Sequence, residues 1–180
     1  MSPVVPSALT TPRLRLRRLR SSDGTPFAQI LRDPFVARML PRRVRTEGGR
    51  AFVTRVSREQ RSGLGYAFAI VPKKLGRPIG QVRLLGWDRD DRSAEIGIWI
   101  GRRWWGDGFG PESIRAVCAF GFGTMRLHRI EALVLSGNRR AIGALEQCGF
   151  RVEGRRREAV RRNRAWHDVI LLGALSPHRR

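Results

Sequence analysis

Three glycines at alternate positions, Gly106, Gly108 and Gly110, could bind a phosphate group. They follow the alternating apolar run 94–100 and precede Pro111, so the pattern predicts a strand, a tight turn and a helix that begins at the proline. Because glycine has no Cβ atom, successive backbone N–H groups in such a turn can point into one concavity. The N-terminal end of the helix also favours an anion. A tight connection without any ligand would explain the glycines equally well.

Two common phosphate-binding motifs do not fit this turn. A P-loop requires Lys followed by Ser or Thr after its last glycine, whereas Pro111 and Glu112 stand here. The dinucleotide-binding fingerprint spaces its glycines as GxGxxG, whereas these glycines follow the pattern GxGxG. The turn therefore belongs to neither motif.

The elements that would position this turn follow from hydrophobic periodicity, which is about 2 residues in strands and about 3.6 in helices. We predict strands at residues 13–17, 66–71, 79–87, 93–100, 130–135, 150–160 and 165–172. We predict helices at residues 21–31, 46–63, 111–125 and 138–148, the first capped by Ser21 or Ser22 and the last by Asn138. Residues 35–45 are expected to be irregular. The three central strands joined by short turns favour an antiparallel meander, and the whole order predicts a mixed α+β fold.

The glycine turn resembles the acetyl-CoA pyrophosphate loop of the GNAT acetyltransferase superfamily, written Q/R-x-x-G-x-G/A. The matching residues are Trp105-Gly106-Asp107-Gly108-Phe109-Gly110. The double tryptophan 104–105 and the trailing Phe-Gly are most similar to the RimJ/RimL branch, which acetylates protein N-termini. Two positions depart from the family pattern: Trp105 replaces Arg or Gln, and Asp107 stands where a basic residue is usual. The acidic side chain would have to turn outward, because it would repel a pyrophosphate.

Three further segments resemble the same family. Residues 138–150 match its N-x-x-A/S…GF segment, residues 11–17 match the opening of RimJ/RimL chains, and residues 153–168 match their closing hairpin. The resemblance implies a GNAT fold with a mixed, mostly antiparallel central sheet flanked by about four helices. It implies one N-acetyltransferase domain with a core of about residues 11–173 and flexible ends at residues 1–10 and 174–180.

The resemblance also implies the cofactor and the residues that bind it. Acetyl-CoA would be the co-substrate, and no metal is expected. A backbone N–H near Trp99 and Ile100 would face the thioester carbonyl, and Asn138 would contact the pantetheine arm. The backbone of the turn would follow the pantetheine and the pyrophosphate, through Trp105, Gly106, Asp107, Gly108, Phe109 and Gly110.

Glu95 is the candidate catalytic base. It shares a strand face with Gly97 and Trp99, and a carboxylate on an otherwise apolar strand is out of place unless it is paired or used. RimJ/RimL relatives carry a glutamate in the same A-E-I-G context, where it has been proposed to act through a water molecule. The alternative is a structural salt bridge to an arginine such as Arg83 or Arg92.

A general acid for the departing thiolate is missing from the expected places. Many family members have a tyrosine seven residues after the asparagine, where Leu145 stands, and some RimJ/RimL members have a serine where Ala141 stands. The only tyrosine, Tyr66, lies on a distant predicted strand. Water or Ser136 remains for this role.

Composition restricts the class of partner. The formal net charge is +21, and all but two of the 36 basic residues are arginines, which bind phosphate and carboxylate groups bidentately. Such a surface attracts RNA and acidic proteins and disfavours free polycations as substrates. The arginines between residues 151 and 164 are either a solvated face or a contact to RNA or the ribosome. Codon usage would also explain the bias.

No apolar run approaches the ~18 residues of a membrane helix, and the N-terminus has no signal-peptide core, so we expect a cytoplasmic protein without membrane contact. Cys118 and Cys148 lack metal-ligand spacing and are expected to be small buried hydrophobic residues. The sequence leaves the oligomeric state open between monomer and homodimer.

The favoured hypothesis is direct transfer of an acetyl group to a primary amine, most simply a protein N-terminus. An aminoglycoside-type small-molecule acetyltransferase is the first alternative, although its polycationic substrates would need an acidic groove. A non-catalytic basic module that binds RNA or the ribosome is the second.

Overall fold

One eight-stranded sheet runs through the computed structural model, which describes residues 6–162 and 164–177. The strand order is β1-β2-β3-β4-β5-β6-β8-β7, and every neighbouring pair is antiparallel except β5 and β6, which are parallel. The strands are β1 (Ala8–Thr10), β2 (Leu14–Arg18), β3 (Gly65–Pro72), β4 (Gly80–Asp88), β5 (Ser93–Ile100), β6 (Arg129–Leu135), β7 (Arg151–Arg162) and β8 (Ala165–Leu175).

Helices cover both faces of this sheet. In the described residues they are α1 (Gly24–Leu31), α2 (Pro34–Ala37), α3 (Arg42–Thr46), α4 (Gly49–Arg61), α5 (Phe109–Gly123) and α6 (Arg139–Glu146). On one face α5 packs over the sheet, and Phe120 forms edge contacts with the rings of Tyr66 and Phe68. On the other face α1 and α4 form a second core, in which Phe27 lies 4.9 Å from the ring of Trp99. The predicted mixed, mostly antiparallel α+β fold is therefore confirmed.

The two parallel strands stay together for only part of their length. They pair at Ser93↔Arg129, Ala94↔Ile130 and Glu95↔Glu131. Beyond Glu95, β5 remains paired with β4 as far as Ile100, and β6 remains paired with β8 as far as Leu135. The strands therefore diverge after Glu95 and leave a gap in the middle of the sheet.

The central meander forms as predicted, and the predicted strand 93–100 coincides with β5. Residues 35–45, expected to be irregular, instead contribute α2 and α3, so the described chain has six α-helices rather than about four. Each of these helices has at most five residues, which is too short to show a periodic pattern in sequence. The helix predicted to begin at residue 46 begins at Gly49.

The chain ends are more ordered than expected. Residues 8–10, placed in a flexible N-terminal segment, form β1 and pair with β2, while Leu9 packs against the core. At the other end β8 continues to Leu175, and Ala174, beyond the predicted boundary at residue 173, is buried. Residues 1–5 and 178–180 of the two predicted flexible ends lie outside the described residues.

The first helix is not capped by Ser21 or Ser22. Asp23 accepts a hydrogen bond from the backbone N–H of Arg20 at 2.8 Å, and its two oxygens also bind both Nη atoms of Arg17, at 2.7 and 2.8 Å. Asp23 is 1% exposed and Arg17 is 8% exposed, so this is a buried ion pair. The predicted cap at α6 is correct, since the Asn138 side chain accepts from the backbone N–H of Ala141 at 3.2 Å.

Candidate active site

The glycine turn between β5 and α5 uses a left-handed backbone at two positions. Gly106 has φ +92° and Gly108 has φ +79°, a region that side chains with a Cβ atom rarely adopt. Gly108 is the N-cap of α5, which begins at Phe109 rather than at Pro111. The free N–H groups of the first helical turn therefore belong to residues immediately after this glycine, as an anion-binding helix terminus requires.

The side chain of Trp105 connects the turn to the end of β5 through a hydrogen bond. Its indole Nε1 donates a hydrogen bond to the carbonyl oxygen of Ile100 at 2.8 Å. The guanidinium of Arg140, at the start of α6, lies over the Trp105 ring at 5.0 Å from its centroid. This tryptophan thus links the strand, the glycine turn and the last helix, and it places a cation beside the turn.

Arg13, directly before β2, hydrogen-bonds to the glycine turn and to the start of α5. Its Nη1 donates to the carbonyl oxygen of Asp107 at 2.8 Å, and its Nε donates to Glu112 at 2.7 Å. The same guanidinium lies 4.8 Å from the centroid of the Phe109 ring. Arg13 was not predicted as a site residue, because a contact across 94 residues leaves no local signal in one sequence.

A cleft of about 450 Å³ lies between the turn, the end of β5 and α6. Seven of the predicted cofactor-binding residues line it: Trp99, Ile100, Trp105, Gly106, Gly108, Gly110 and Asn138. Asp107 and Phe109 do not. Asp107 is exposed, and Phe109 packs against the core and under Arg13.

The cleft also has walls that sequence analysis missed. Val36, Met39 and Leu40, from α2 and the segment after it, form one apolar wall. Arg139 and Arg140, in the first turn of α6, supply positive charge on another wall. In the sequence these two arginines directly follow the capping Asn138, which could have indicated their role. They were not singled out because the chain contains many other arginines.

Trp99 contributes more to the core than to the cleft. The residue is 6% exposed, and its ring makes edge contacts with Phe27 and Phe52. Its indole Nε1 is buried without a hydrogen-bond partner among the described residues. The role predicted for Trp99 concerned its backbone, which lies at the cleft beside that of Ile100.

Glu95 stands where β5 and β6 begin to diverge, outside the residues that line the cleft. Its carboxylate is half-buried and has no ion pair or hydrogen bond within the described parts of the chain. Burial raises the pKa of Glu95 above the ordinary glutamate value. The positive charge of Arg83 opposes this shift, and the charge of Glu131 adds to it.

The alternative of a structural salt bridge at Glu95 is not formed within residues 6–162 and 164–177. Arg83 lies on the same face of the sheet, opposite Gly97, but its closest carboxylate is Glu59 of α4, at 3.6 Å. Glu59 in turn binds Arg55 at 2.7 Å. Among the residues that the structure describes, Glu95 is therefore the carboxylate near Arg83 that has no ion-pair or hydrogen-bond partner.

Among the described residues that line the cleft, none is a tyrosine, serine or cysteine that could act as a general acid. Tyr66 packs against Trp87 and Phe120 and is absent from the cleft lining, as its distant strand predicted. Ala141 lines the cleft without a hydroxyl group, and Leu145 is buried in the core.

In the residues that the structure describes, no group of three or more His, Cys, Asp and Glu side chains could hold a metal ion. No helix in the same residues is long and apolar enough to cross a membrane.

Comparison with known proteins agrees with this geometry. Residues 13–151 match the family model described as an acetyltransferase (GNAT) domain. The chain therefore belongs to the GNAT acetyltransferase family. The fold is shared with RimJ of Mycobacterium smegmatis in complex with CoA-disulfide, at a TM-score of 0.88 and 24% identity, with 98% of this chain and 90% of that chain covered.

Relatives at the sequence level carry names of the same class. The protein p20 of Bacillus licheniformis, named an uncharacterized N-acetyltransferase, is 29% identical over 93% of this chain and 95% of its own. YjcK of Bacillus subtilis, named a probable N-acetyltransferase, is 33% identical over 73% of each chain. YdaF of Bacillus subtilis, named a putative ribosomal N-acetyltransferase, is 29% identical over 56% of this chain and 55% of its own. The ribosomal protein uS5-alanine N-acetyltransferase of Escherichia coli is 29% identical over 46% of this chain and 42% of its own. The protein is thus a GNAT N-acetyltransferase that resembles the RimJ/RimL branch.

Proposed function

We propose that the protein transfers the acetyl group of acetyl-CoA directly to the N-terminal amine of a protein, with Glu95 as the base. The observation that carries this proposal is the divergence of β5 from β6 immediately after Glu95. The divergence opens the sheet beside Glu95, whose carboxylate has no ion pair or hydrogen bond in the described part of the chain. The family membership established above supplies the reaction class.

The cleft supports acetyl-CoA as the donor. Backbone N–H and C=O groups on the two diverging strand edges are not paired with each other beyond Glu95, so the amides of a pantetheine arm can pair with them. The N–H groups after Gly108 would bind the pyrophosphate, and Asp107 is exposed, away from the cleft lining. Arg139 and Arg140 add cations that suit the remaining phosphate of the coenzyme.

The reaction needs an unprotonated amine and a polarised thioester carbonyl. Glu95, directly or through one water molecule, would take a proton from the acceptor ammonium. The free amine then attacks the carbonyl carbon of the thioester, and a backbone N–H near Trp99 and Ile100 would stabilise the negative charge that develops on the oxygen. The C–N bond forms, the C–S bond breaks, and the electron pair of the C–S bond leaves with the sulfur.

After the attack the nitrogen still carries one surplus proton, and the thiolate would receive this proton, relayed by water or by the hydroxyl of Ser136. Ser136 follows β6, and its backbone N–H donates to the carbonyl oxygen of Asp168 at 2.9 Å. Neither Leu145 nor Ala141 can donate a proton. A water molecule suffices chemically, because a thiolate is a good leaving group.

A protein N-terminus suits the chain better than a polycationic small molecule. The net charge of +21 repels free polycations, and among the relatives are proteins named ribosomal N-acetyltransferases. In the region that would receive an aminoglycoside, residues 20–65, the acids are few, and Asp23, Glu47 and Glu59 are already paired with arginines.

The proposal is tested by offering the purified protein acetyl-CoA and a panel of acceptors. The panel contains peptides with free N-termini, the same peptides with blocked N-termini, and aminoglycosides. Thiol release measures turnover, and mass spectrometry locates the acetyl group. We expect acetylation of the free N-terminal amine only. Turnover of aminoglycosides without peptide acetylation would contradict the proposed acceptor, and the absence of thiol release with every amine would contradict the proposal as a whole.

A further inference from the structure

The Arg83 side chain of β4 lies against the neighbouring strand β5. Arg83 is paired with Gly97, and a Cβ atom added at Gly97 would lie 3.6 Å from Arg83 Nε and 3.7 Å from Arg83 Cγ. Only 15% of the arginine side chain is exposed. Because Gly97 has no side chain, a largely buried cation can lie on the face of β5 that also carries Glu95.

Arg83 has two carboxylates within reach of its side chain. Its partner Gly97 is two residues from Glu95, and such diagonal neighbours in a sheet are roughly 7–8 Å apart, a distance that a long side chain can span. Glu59 of α4 has its Oε2 atom 3.6 Å from Arg83 Nη1, and the two side chains line one cavity of about 20 Å³. In the described residues Arg83 forms an ion pair with Glu59 and not with Glu95. Two carboxylates therefore compete for one guanidinium.

Glu59 is held in position by a second arginine of the same helix. Arg55 Nη1 donates to Glu59 Oε1 at 2.7 Å, while Arg55 Nε and Nη2 donate to Glu47 at 2.8 and 2.5 Å. Glu47, directly before α4, thus fixes Arg55, and Arg55 fixes one oxygen of Glu59. The other oxygen of Glu59 faces Arg83.

The charged groups that face Glu95 come from its two neighbouring strands. Arg83 of β4 is the cation, and Glu131 of β6, which is paired with Glu95, is an anion bound to Arg129 at 2.6 Å. Helix α5 packs against the other face of β5, and α4 contributes Glu59 on the far side of Arg83. Within the described residues, Arg83 is therefore the cation whose position decides whether Glu95 stays free.

We propose that Glu59 is a positioning residue for the acetyl transfer, because it holds the Arg83 guanidinium away from Glu95 and so keeps the base free to take the amine proton. This inference rests on the proposed function, since Glu59 acts through the proposed base. Without the Glu59 carboxylate, a largely buried guanidinium would lose its ion pair, which is costly, and it would turn to Glu95. An ion pair there would lower the pKa of the base and bind the oxygens that the amine needs.

The test uses Glu59→Gln, which keeps the shape of the side chain and removes its charge, alone and combined with Arg83→Gln. The control is Glu47→Gln, which removes a carboxylate of the same cluster and leaves the pair of Glu59 and Arg83 in place. The pH profile of kcat/KM is measured with acetyl-CoA and a peptide acceptor. The pKa of Glu95 is measured separately, without substrates, by NMR of the side-chain carboxyl carbons, and its signal is assigned by its loss in Glu95→Gln.

We expect the acid limb of the profile and the Glu95 titration to move about one pH unit lower in Glu59→Gln, as an opposite charge within ion-pair distance requires. At the same time kcat should fall on the order of 10-fold, because the base is weaker and bound. Adding Arg83→Gln should restore kcat, and the double variant should titrate like Arg83→Gln alone. Glu47→Gln should titrate like the wild-type protein.

The comparison of the two backgrounds decides whether Glu59 acts through Arg83. An unchanged Glu95 titration in Glu59→Gln would overturn the inference, and so would an equal downward shift with and without Arg83, which would reflect the charge of Glu59 alone. A loss of kcat that Arg83→Gln does not restore would overturn it as well and would leave the proposed function standing. If the wild-type protein acetylates no amine, the proposed function fails, and the NMR titration still decides whether Glu59 keeps Arg83 away from Glu95.

Discussion

Glu95 on β5 lies beside Glu131 on β6, and this is the last residue pair that the two parallel strands form. Glu131 is exposed and bound to Arg129 at 2.6 Å, whereas the carboxylate of Glu95 is half-buried and has no ion pair or hydrogen bond with any residue that the structure describes. Two carboxylates at one level of the sheet thus have different environments. This difference supports the role proposed for Glu95 and makes Glu131 a matched control for it.

Replacing Glu95 by Gln should lower kcat/KM for the acceptor on the order of 100-fold or more, because the amine loses its base. The affinity for acetyl-CoA should change little, since Glu95 is not among the residues that line the cleft. Steady-state kinetics and a separate binding titration check both expectations. Glu131→Gln should keep nearly full activity, and an equal loss in the two variants would show that the effect is not specific to Glu95.

The rate should depend on pH through the same carboxylate. Glu95 must be deprotonated to act, so kcat/KM should rise with pH through its pKa, which burial places above the ordinary glutamate value. Replacing Arg83 by Gln removes the charge that opposes this shift, so the acid limb of the pH profile should move to higher pH. Arg92→Gln is the control, and a limb that moves to lower pH in Arg83→Gln would contradict the assignment.

The raised pKa of Glu95 should also make the stability of the fold depend on pH. Because the folded pKa of Glu95 lies above the unfolded value, folding favours the protonated form, and stability falls as pH rises between the two values. Glu95→Gln should therefore raise the Tm at neutral pH and have a smaller effect in acid. Thermal unfolding of both proteins at the two pH values measures this difference.

Most of the fold could be predicted from the sequence, because the family motifs are local. The strand, turn and helix at residues 94–125 and the cap at Asn138 depend on neighbouring residues and were found. The features that the sequence analysis did not predict depend on contacts between residues that are distant in sequence. The sequence offered Ser21 or Ser22 as the cap of the first helix, whereas the side chain that binds there is Asp23, held by the buried Arg17 and by the backbone N–H of Arg20. The apolar wall at Met39 lies on a segment too short to show periodicity.

Removing Arg13 should loosen the glycine turn without affecting the chemistry. Arg13→Ala loses hydrogen bonds to the Asp107 carbonyl and to Glu112, so we expect KM for acetyl-CoA to rise on the order of 10-fold while kcat stays within about 2-fold. Arg15→Ala, at an exposed position two residues along, should leave both parameters unchanged. A loss confined to kcat would contradict the positioning role.

A side chain at Gly108 should be poorly tolerated. The residue has φ +79°, and a Cβ atom would come within 3.1 Å of Arg13 Nη2. Gly108→Glu should abolish acetyl-CoA binding, because it adds strain of about 1–2 kcal/mol and a negative charge beside the expected pyrophosphate. Gly123→Ala, where the added Cβ atom meets nothing within 4 Å, should bind normally. Calorimetric titration with acetyl-CoA distinguishes the two.

The buried pair of Arg17 and Asp23 should matter more for stability than any surface pair. Asp23→Ala leaves a buried guanidinium without its partner and the backbone N–H of Arg20 without its acceptor, so we expect a loss of about 3–5 kcal/mol in the free energy of unfolding. Glu153→Ala, which breaks an exposed pair with Arg129, should cost far less, because solvent screens that pair. Urea denaturation of both variants makes the comparison, and similar losses would show that the burial of the first pair has no special effect.

A crystal structure with a peptide joined to coenzyme A as a bisubstrate analogue tests the central claim most directly. The account predicts the pyrophosphate on the N–H groups that follow Gly108, the pantetheine between β5 and β6, and the peptide amine within one water molecule of the Glu95 carboxylate. A coenzyme bound outside the gap between these strands, or a Glu95 carboxylate held by Arg83 and turned away from the amine, would contradict it.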